Sequence, residues 1–191
     1  MTYPPLYLLR HGQTDWNRER RIQGQRESTL TRLGESHAKA QAGILVRLGL
    51  PAGMRCYSSP QKRTRQTAEL ALGPLGITPR FDDRLKEVCL GAWEGQLYAD
   101  VMASDPARFE NMGIVAFCLS SPGETEAAMR DRVGRFLDEL AGPALIVSHG
   151  ITLTILRAIV LGLDLEQMEK QDRSQGTVSI LRNGIETRHA E

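Results

Sequence analysis

Two short apolar runs constrain this chain more than anything else in it. Leu6 to Leu9 runs into Arg10-His11-Gly12, and Ala144 to Val147 runs into Ser148-His149-Gly150. Four consecutive apolar residues without alternation suit a strand covered on both faces, as in a parallel sheet between two helix layers. Each run then stops at a polar residue, a histidine and a glycine, which cannot extend a buried strand. If the two strands are neighbours in a parallel sheet, both imidazoles emerge at one edge, where open α/β sheets collect ligands. A single histidine ending a strand needs no function. The same arrangement twice, in a chain with only four histidines, calls for one.

The rest of the chain fits that frame. The stretch up to Glu27 is polar, arginine-rich and broken by Gly12 and Gly24, so it reads as an exposed loop. Thr31 can cap a helix to about Leu48, stopped by Gly49 and Pro51, and His37 falls on that helix as a packing residue. Arg55 to Ser58 reads as a strand, Gln61 to Leu72 as a helix, and Ile77 to Phe81 as a third strand. A helix from Glu124 to Leu140, the strand from Ala144, a helix from Thr152 to Leu161 and an edge strand from Thr177 to Leu181 complete the series. Asn183-Gly184 is a hairpin turn signal. Strand, polar junction and helix in repeated order predict an α/β fold, a three-layer sandwich whose mainly parallel central sheet is flanked by helices. All 191 residues are read as one domain. Residues 88–125 mix aromatics with glycine and proline and read as short helices and a covering loop, placed to pack or to line a substrate cleft.

Composition closes off several classes of function. Twenty-four basic against twenty-three acidic residues give a net charge of +1, with no basic arm, so nucleic acid is not an expected partner. Cys56, Cys89 and Cys118 are odd in number and lack metal-ligand spacing, which favours plain thiols over a disulfide framework or zinc. The N-terminus shows no export segment and no stretch is long enough to span a membrane, so a cytoplasmic protein is expected. A homodimer is compatible with all of this.

The chemistry follows from residue types. No HxxxH or HxH pair marks a metal site. No G-x-S-x-G elbow accompanies the serines beside the second strand, so a serine nucleophile is disfavoured. Arginine forks suit phosphate, and Arg10 and Arg63 both fall where they could hold a phosphoryl group while His11 attacks it.

With these residues in place, the chain resembles the histidine phosphatase, or phosphoglycerate mutase-like, superfamily. The resemblance rests on Arg10-His11-Gly12 with Thr14 and Asn17, Arg21 and Gly24, and Ser58-Ser59-Pro60 with Arg63. It continues through Glu87, Gly91 and Trp93-Glu94-Gly95 to Ser148-His149-Gly150, over roughly residues 4 to 181. The resemblance implies that His11 is phosphorylated in turnover, that Arg10, Arg63 and His149 form the phosphate pocket with Asn17 as a neutral donor, and that Glu87 protonates the leaving oxygen. It requires no metal and no organic cofactor. Arg21, Gln23, Gly24 and Trp93 are candidate substrate-binding residues. A phosphate-bound His149 would hold its proton above the ordinary histidine value of about 6.5, and Glu87 would hold one well above about 4.3.

The expected partner is a small phosphorylated metabolite. Relatives that act as mutases carry a longer, basic insertion between the segments matching Glu87 and His149. Here Arg108 is the only basic residue from Val88 to Thr125, which favours a phosphatase with a partly apolar leaving group over a phosphoglycerate mutase. A noncatalytic phosphate binder would need neither His11 nor Glu87. Gln25 to Thr29, Val88-Cys89 and Thr154 depart from the common pattern and leave the substrate unnamed.

Overall fold

The computed structural model describes residues 3–191. In chain order the elements are β1 (Leu6–Arg10), α1 (Asp15–Arg18), α2 (Arg32–Leu48), β2 (Arg55–Ser58), α3 (Lys62–Leu72), β3 (Arg80–Phe81), α4 (Tyr98–Ser104), α5 (Pro106–Phe109), α6 (Ile114–Leu119), α7 (Glu126–Asp138), β4 (Ala144–Ser148), α8 (Gly150–Leu161), α9 (Leu165–Glu169), β5 (Val178–Arg182) and β6 (Ile185–His189). One sheet runs in the order β3-β2-β4-β1-β5-β6. Its first four strands are parallel, with Leu6 opposite Ala144 and Arg10 opposite Ser148, while β5 is antiparallel to β1 and to β6.

The sheet separates two cores. Tyr7, Leu9, Leu145 and Val147 pack on Ile44 and Leu45 of α2 and Ala68 and Leu72 of α3. Leu6, Leu8, Ala144 and Ile146 face the other way, against Val133 of α7, Ile155 of α8 and Phe117 of the 88–125 excursion. Alternate side chains of each run thus enter opposite cores, which is why neither run alternates in polarity. Deleting one of these leucines to alanine would cost roughly 2 to 5 kcal/mol.

The topology places the site. The chain leaves β1 toward α2 on one face and leaves β4 toward α8 on the other, so the gap between their carboxyl ends is a switch point where a ligand can enter. Gly12 makes the turn out of β1 workable, because a Cβ there would lie 2.1 Å from the Gly34 carbonyl oxygen at the start of α2.

Thr31 caps α2 as predicted, its Oγ1 accepting the Gly34 N–H, and α2 ends at Leu48. Several boundaries move by one to a few residues. The third strand keeps only Arg80–Phe81, α7 starts at Glu126 behind its Thr125 cap, and α8 begins at Gly150 with His149 as its cap. The predicted edge strand is corrected. Residues 178–182 lie inside the sheet, because Asn183-Gly184, both at positive φ, fold β6 back onto them as the true edge.

Candidate active site

A cleft of about 440 Å³ opens at the carboxyl ends of β1 and β4. Arg10, His11, Asn17, Gly24, Arg63 and Glu87 line its polar end, and Arg20, Arg21, Gln23 and Arg173 add to the lining. Val88, Leu90, Tyr98, Ile114, Phe117 and Cys118 form an apolar wall, so the 88–125 excursion does contribute one side of the cleft.

His11 is fixed by its own backbone neighbourhood. Its main-chain N–H donates to Ser148 O at 3.0 Å, and its ring Nδ1 stands 2.8 Å from Gly12 O. A carbonyl oxygen only accepts, so Nδ1 carries the proton and Nε2 keeps its lone pair. Burial, then the charges of Arg63 and Arg10, push the His11 pKa well below the ordinary value, so the ring is neutral. A neutral imidazole with Nδ1 engaged and Nε2 bare is a nucleophile in its working tautomer.

His149 is wired differently. It is fully buried and does not line the cleft, although its ring centroid lies 5.2 Å from that of His11. Arg63 Nε donates to its Nδ1 at 3.1 Å, and Nε2 lies 2.8 Å from Ser59 Oγ. Guanidinium only donates, so Nδ1 accepts and the ring is neutral, its proton on Nε2 and directed at Ser59. Burial and then Arg63 hold its pKa well below the ordinary value. The upward shift is expected of the phosphate-bound ring alone; in this arrangement a proton on Nδ1 would point at another donor.

Arg63 is held by three acceptors. Besides His149, NH1 donates to Arg26 O at 2.9 Å and NH2 to Gly24 O at 2.8 Å. Three of the five guanidinium N–H groups are thus occupied, and two remain for an anion. Burial lowers its pKa to about 10, still charged at neutrality. Gly24 supplies its carbonyl from a left-handed conformation, φ 52°, in which a Cβ would also strike Glu94 Oε1. This gives Gly24 a structural task in aiming Arg63. Arg10 donates from NH1 to the Arg173 carbonyl, and its buried Nε has no partner among the described residues.

Glu87 lines the same cleft as His11 and is held at the start of α8. Its Oε1 accepts from Val88 N and Thr152 N, each at 3.0 Å, and its Oε2 from Ile151 N at 3.2 Å, while Thr152 Oγ1, 3.0 Å from Oε1, gives its one proton to Lys86 O at 2.7 Å. Free N–H groups at a helix start hold a carboxylate well, and they fix Glu87 in place.

The remaining candidates separate. Asn17 closes a capping box with Thr14 and lines the cleft. Arg21 lines it while donating to Glu19 Oε2 and Gly95 O, and Gln23 lines it while accepting from Ser28. Trp93 is not in the lining. It packs on Phe117 at 4.8 Å and on Phe109, with Arg108 over its ring, and so supports the apolar wall rather than touching the cleft. His37 accepts the Gln13 N–H on α2, away from the cleft, as its place on that helix predicts. Cys56, Cys89 and Cys118 are all unpaired, and burial pushes the Cys118 thiol far above its usual range.

Three contributors carry no motif signal of their own. Ser59 stands within a matched tripeptide without a role attached to it. Arg173 and Gln175 belong to the polar segment before β5, which reaches the site because β5 runs antiparallel to β1. No group of three or more His, Cys, Asp or Glu side chains is arranged to hold a metal ion among the described residues.

Residues 6–189 match the histidine phosphatase superfamily, branch 1, which covers nearly the whole chain. The chain belongs to this superfamily. It is 36% identical over 166 residues to an Escherichia coli protein named probable phosphoglycerate mutase GpmB, covering 83% of this chain and 75% of that one. Among solved structures it is similar to the α-ribazole phosphatase from Shigella flexneri, with a TM-score of 0.79 and 27% identity over 97% of this chain and 95% of the other. The mycobacterial glucosyl-3-phosphoglycerate phosphatase superposes with a TM-score of 0.77 and 27% identity, covering 98% and 97% of the two chains. Bacillus stearothermophilus YhfR gives a TM-score of 0.78 at 31% identity, covering 98% and 95%. The superfamily supplies the frame for a metal-independent phosphatase acting on a small phosphorylated metabolite.

Proposed function

We propose that this histidine phosphatase hydrolyses a phosphomonoester in two in-line steps through phospho-His11, with water as the final acceptor. Nε2 of neutral His11 forms the N–P bond as the ester P–O bond breaks, and Glu87 gives a proton to the departing alcohol. Water then attacks phospho-His11, Glu87 takes its proton, and inorganic phosphate leaves as the N–P bond breaks. Arg10, the two unoccupied N–H groups of Arg63 and the Asn17 amide stabilise charge on the equatorial oxygens. His149 holds Arg63 in line. A dianion at His11 would favour a protonated His149, whose Nδ1 would then release Arg63 Nε toward the phosphoryl group. The observation that carries this reading is the state of His11: Nδ1 donating to Gly12, Nε2 bare, and the ring neutral between two arginines.

The apolar wall supports a partly apolar leaving group, and the phosphatases of similar structure act on substrates larger than a three-carbon acid. Phosphoglycerate mutase is the second reading. It is favoured by the name of the E. coli relative and by Arg20, Arg21 and Arg173, which bring positive charge to the cleft from outside the excursion. Arg108 does not join them, since it donates to Ser120 O and lies over Trp93 and Phe109. No helix among the described residues is long and apolar enough to cross a membrane, which fits a cytoplasmic enzyme directed at small molecules. A screen of phosphomonoesters with 2- and 3-phosphoglycerate, without added metal at neutral pH, tests the proposal. Phosphate release lost in His11→Ala supports it, whereas isomer interconversion with little release overturns it in favour of the mutase.

A further inference from the structure

We infer that Gln175 is a positioning residue for the phosphoryl pocket, one that locks the His11 backbone and turns the Asn17 amide so that its NH2 group is the one left for an anion. The inference rests on the phosphohistidine reading above, and it comes from hydrogen-bond logic that leaves one assignment.

Gln175 Nε2 lies 3.0 Å from the carbonyl oxygen of His11 and 3.2 Å from Asn17 Oδ1. The His11 carbonyl only accepts, so the Gln175 atom facing it must be the NH2 group. The Thr14 main-chain N–H only donates, and it lies 3.1 Å from the Asn17 side chain, so the Asn17 atom facing it must be the oxygen. These two fixed ends agree with each other: Gln175 donates to the same Asn17 oxygen that Thr14 does. Asn17 Oδ1 then has two donors, and the side chain's NH2 group remains without a protein acceptor among the described residues.

The orientation matters because Asn17 lines the cleft beside His11. An amide flipped by half a turn would offer its oxygen to a phosphoryl group and replace attraction with repulsion. Two amide faces differ little in shape, so packing alone does not choose between them, and the hydrogen bonds must. Gln175 also completes the restraint on His11. The His11 N–H is held by Ser148 O at 3.0 Å, its ring by Gly12 O, and its carbonyl by Gln175. The same segment supplies the Arg173 carbonyl to Arg10. Residues 173–175 therefore touch three members of the pocket, Arg10, His11 and Asn17, without providing the nucleophile or the acid.

The segment reaches the pocket through sheet topology. Leu9 pairs with Val178 across the antiparallel β1–β5 ladder, so the residues before β5 arrive at the end of β1.

The test uses the full chain, p-nitrophenyl phosphate for turnover, and inorganic phosphate as the competitive ligand. Gln175→Leu removes both donors, and Gln175→Glu places an acceptor against two acceptors. We expect Gln175→Leu to lower kcat/KM about 10- to 100-fold, the scale of a small misplacement at a reacting centre, and to weaken inhibition by phosphate. Gln175→Glu should lose more at neutral pH and regain activity relative to the unsubstituted chain as pH falls toward about 5, where a protonated carboxyl can donate. Adding Gln175→Leu to Asn17→Ala should cost less than it does alone, because part of its effect passes through Asn17. Circular dichroism and thermal unfolding separate these effects from loss of fold. Folded Gln175 variants with kcat, KM and phosphate inhibition within about twofold of the unsubstituted chain would overturn this inference alone, as would losses that multiply fully with Asn17→Ala. An unsubstituted chain that forms no phosphohistidine would overturn the hydrolase reading and this inference with it.

Discussion

The carboxyl ends of β1 and β4 share a sequence pattern and are wired in opposite ways. At β1 the histidine ring is anchored through Nδ1 to the next carbonyl, and its other nitrogen is bare. At β4 both ring nitrogens are consumed, one by Arg63 and one by Ser59, and the ring is shut off from the cleft. The difference lies in the path of the chain beyond each strand. After β1 it makes a loop that leaves the ring at the cleft. After β4 it enters α8 at once, with His149 as the cap, and the ring is trapped beneath Arg63. One motif therefore yields a ring with a bare nitrogen at the cleft in one place and a ring that holds Arg63 in the other, which the proposed mechanism uses as nucleophile and as support of a phosphate-binding arginine.

The comparison breaks most decisively at the nucleophile. His11→Ala should reduce phosphate release by at least about 10⁴-fold and abolish the phosphohistidine trapped by rapid quench in alkali, since among the described residues no other histidine lines the cleft. If instead His149→Ala removed the trapped intermediate and His11→Ala did not, the two roles would be reversed. Next in size, Glu87→Gln should cost about 10²- to 10⁴-fold with alkyl phosphates and far less with p-nitrophenyl phosphate, whose leaving group needs no proton. Equal losses on both substrates would remove Glu87 from the acid role. His149→Ala should cost about 10²- to 10³-fold in kcat, the scale of one lost electrostatic contributor, with phospho-His11 still detectable.

The pH dependence comes from the two depressed histidines. Both are neutral when folded and titrate near 6.5 when unfolded, so below that value the unfolded chain binds more protons and stability falls as pH falls. Each histidine adds to the loss with every pH unit below its unfolded value until its folded pKa is reached. The urea midpoint should drop between pH 7.5 and 5.5, and a midpoint independent of pH would contradict the neutral pair. The smallest effect is expected at His37→Gln, which keeps an acceptor for the Gln13 N–H and should leave kcat/KM unchanged and stability within about 0.5 kcal/mol.

Much of this arrangement was legible because strand and helix signals are local. The Thr31 cap, the α2 and β2 bounds and the two apolar runs are set by neighbouring residues alone. Trp93 was not readable in this way. An aromatic beside a glycine suits a cleft or a core equally, and only its stacking on Phe117 and Phe109 places it behind the wall. Gln175 was less readable still, since a glutamine in a polar loop has no signature until the loop is known to meet β1.

The sequence by itself determined that two buried strands end in histidine, that arginines able to hold a phosphoryl group accompany them, and which superfamily that ordered set resembles. It did so because apolar continuity, capping and residue chemistry are properties of short segments. Only the tertiary structure decided that the two rings differ, one bare and one locked, and that a strand entering antiparallel brings Arg173 and Gln175 to the same edge. Those outcomes depend on which backbone carbonyl and which guanidinium come within hydrogen-bond distance of each nitrogen. That is set by strand order and helix placement across the whole chain.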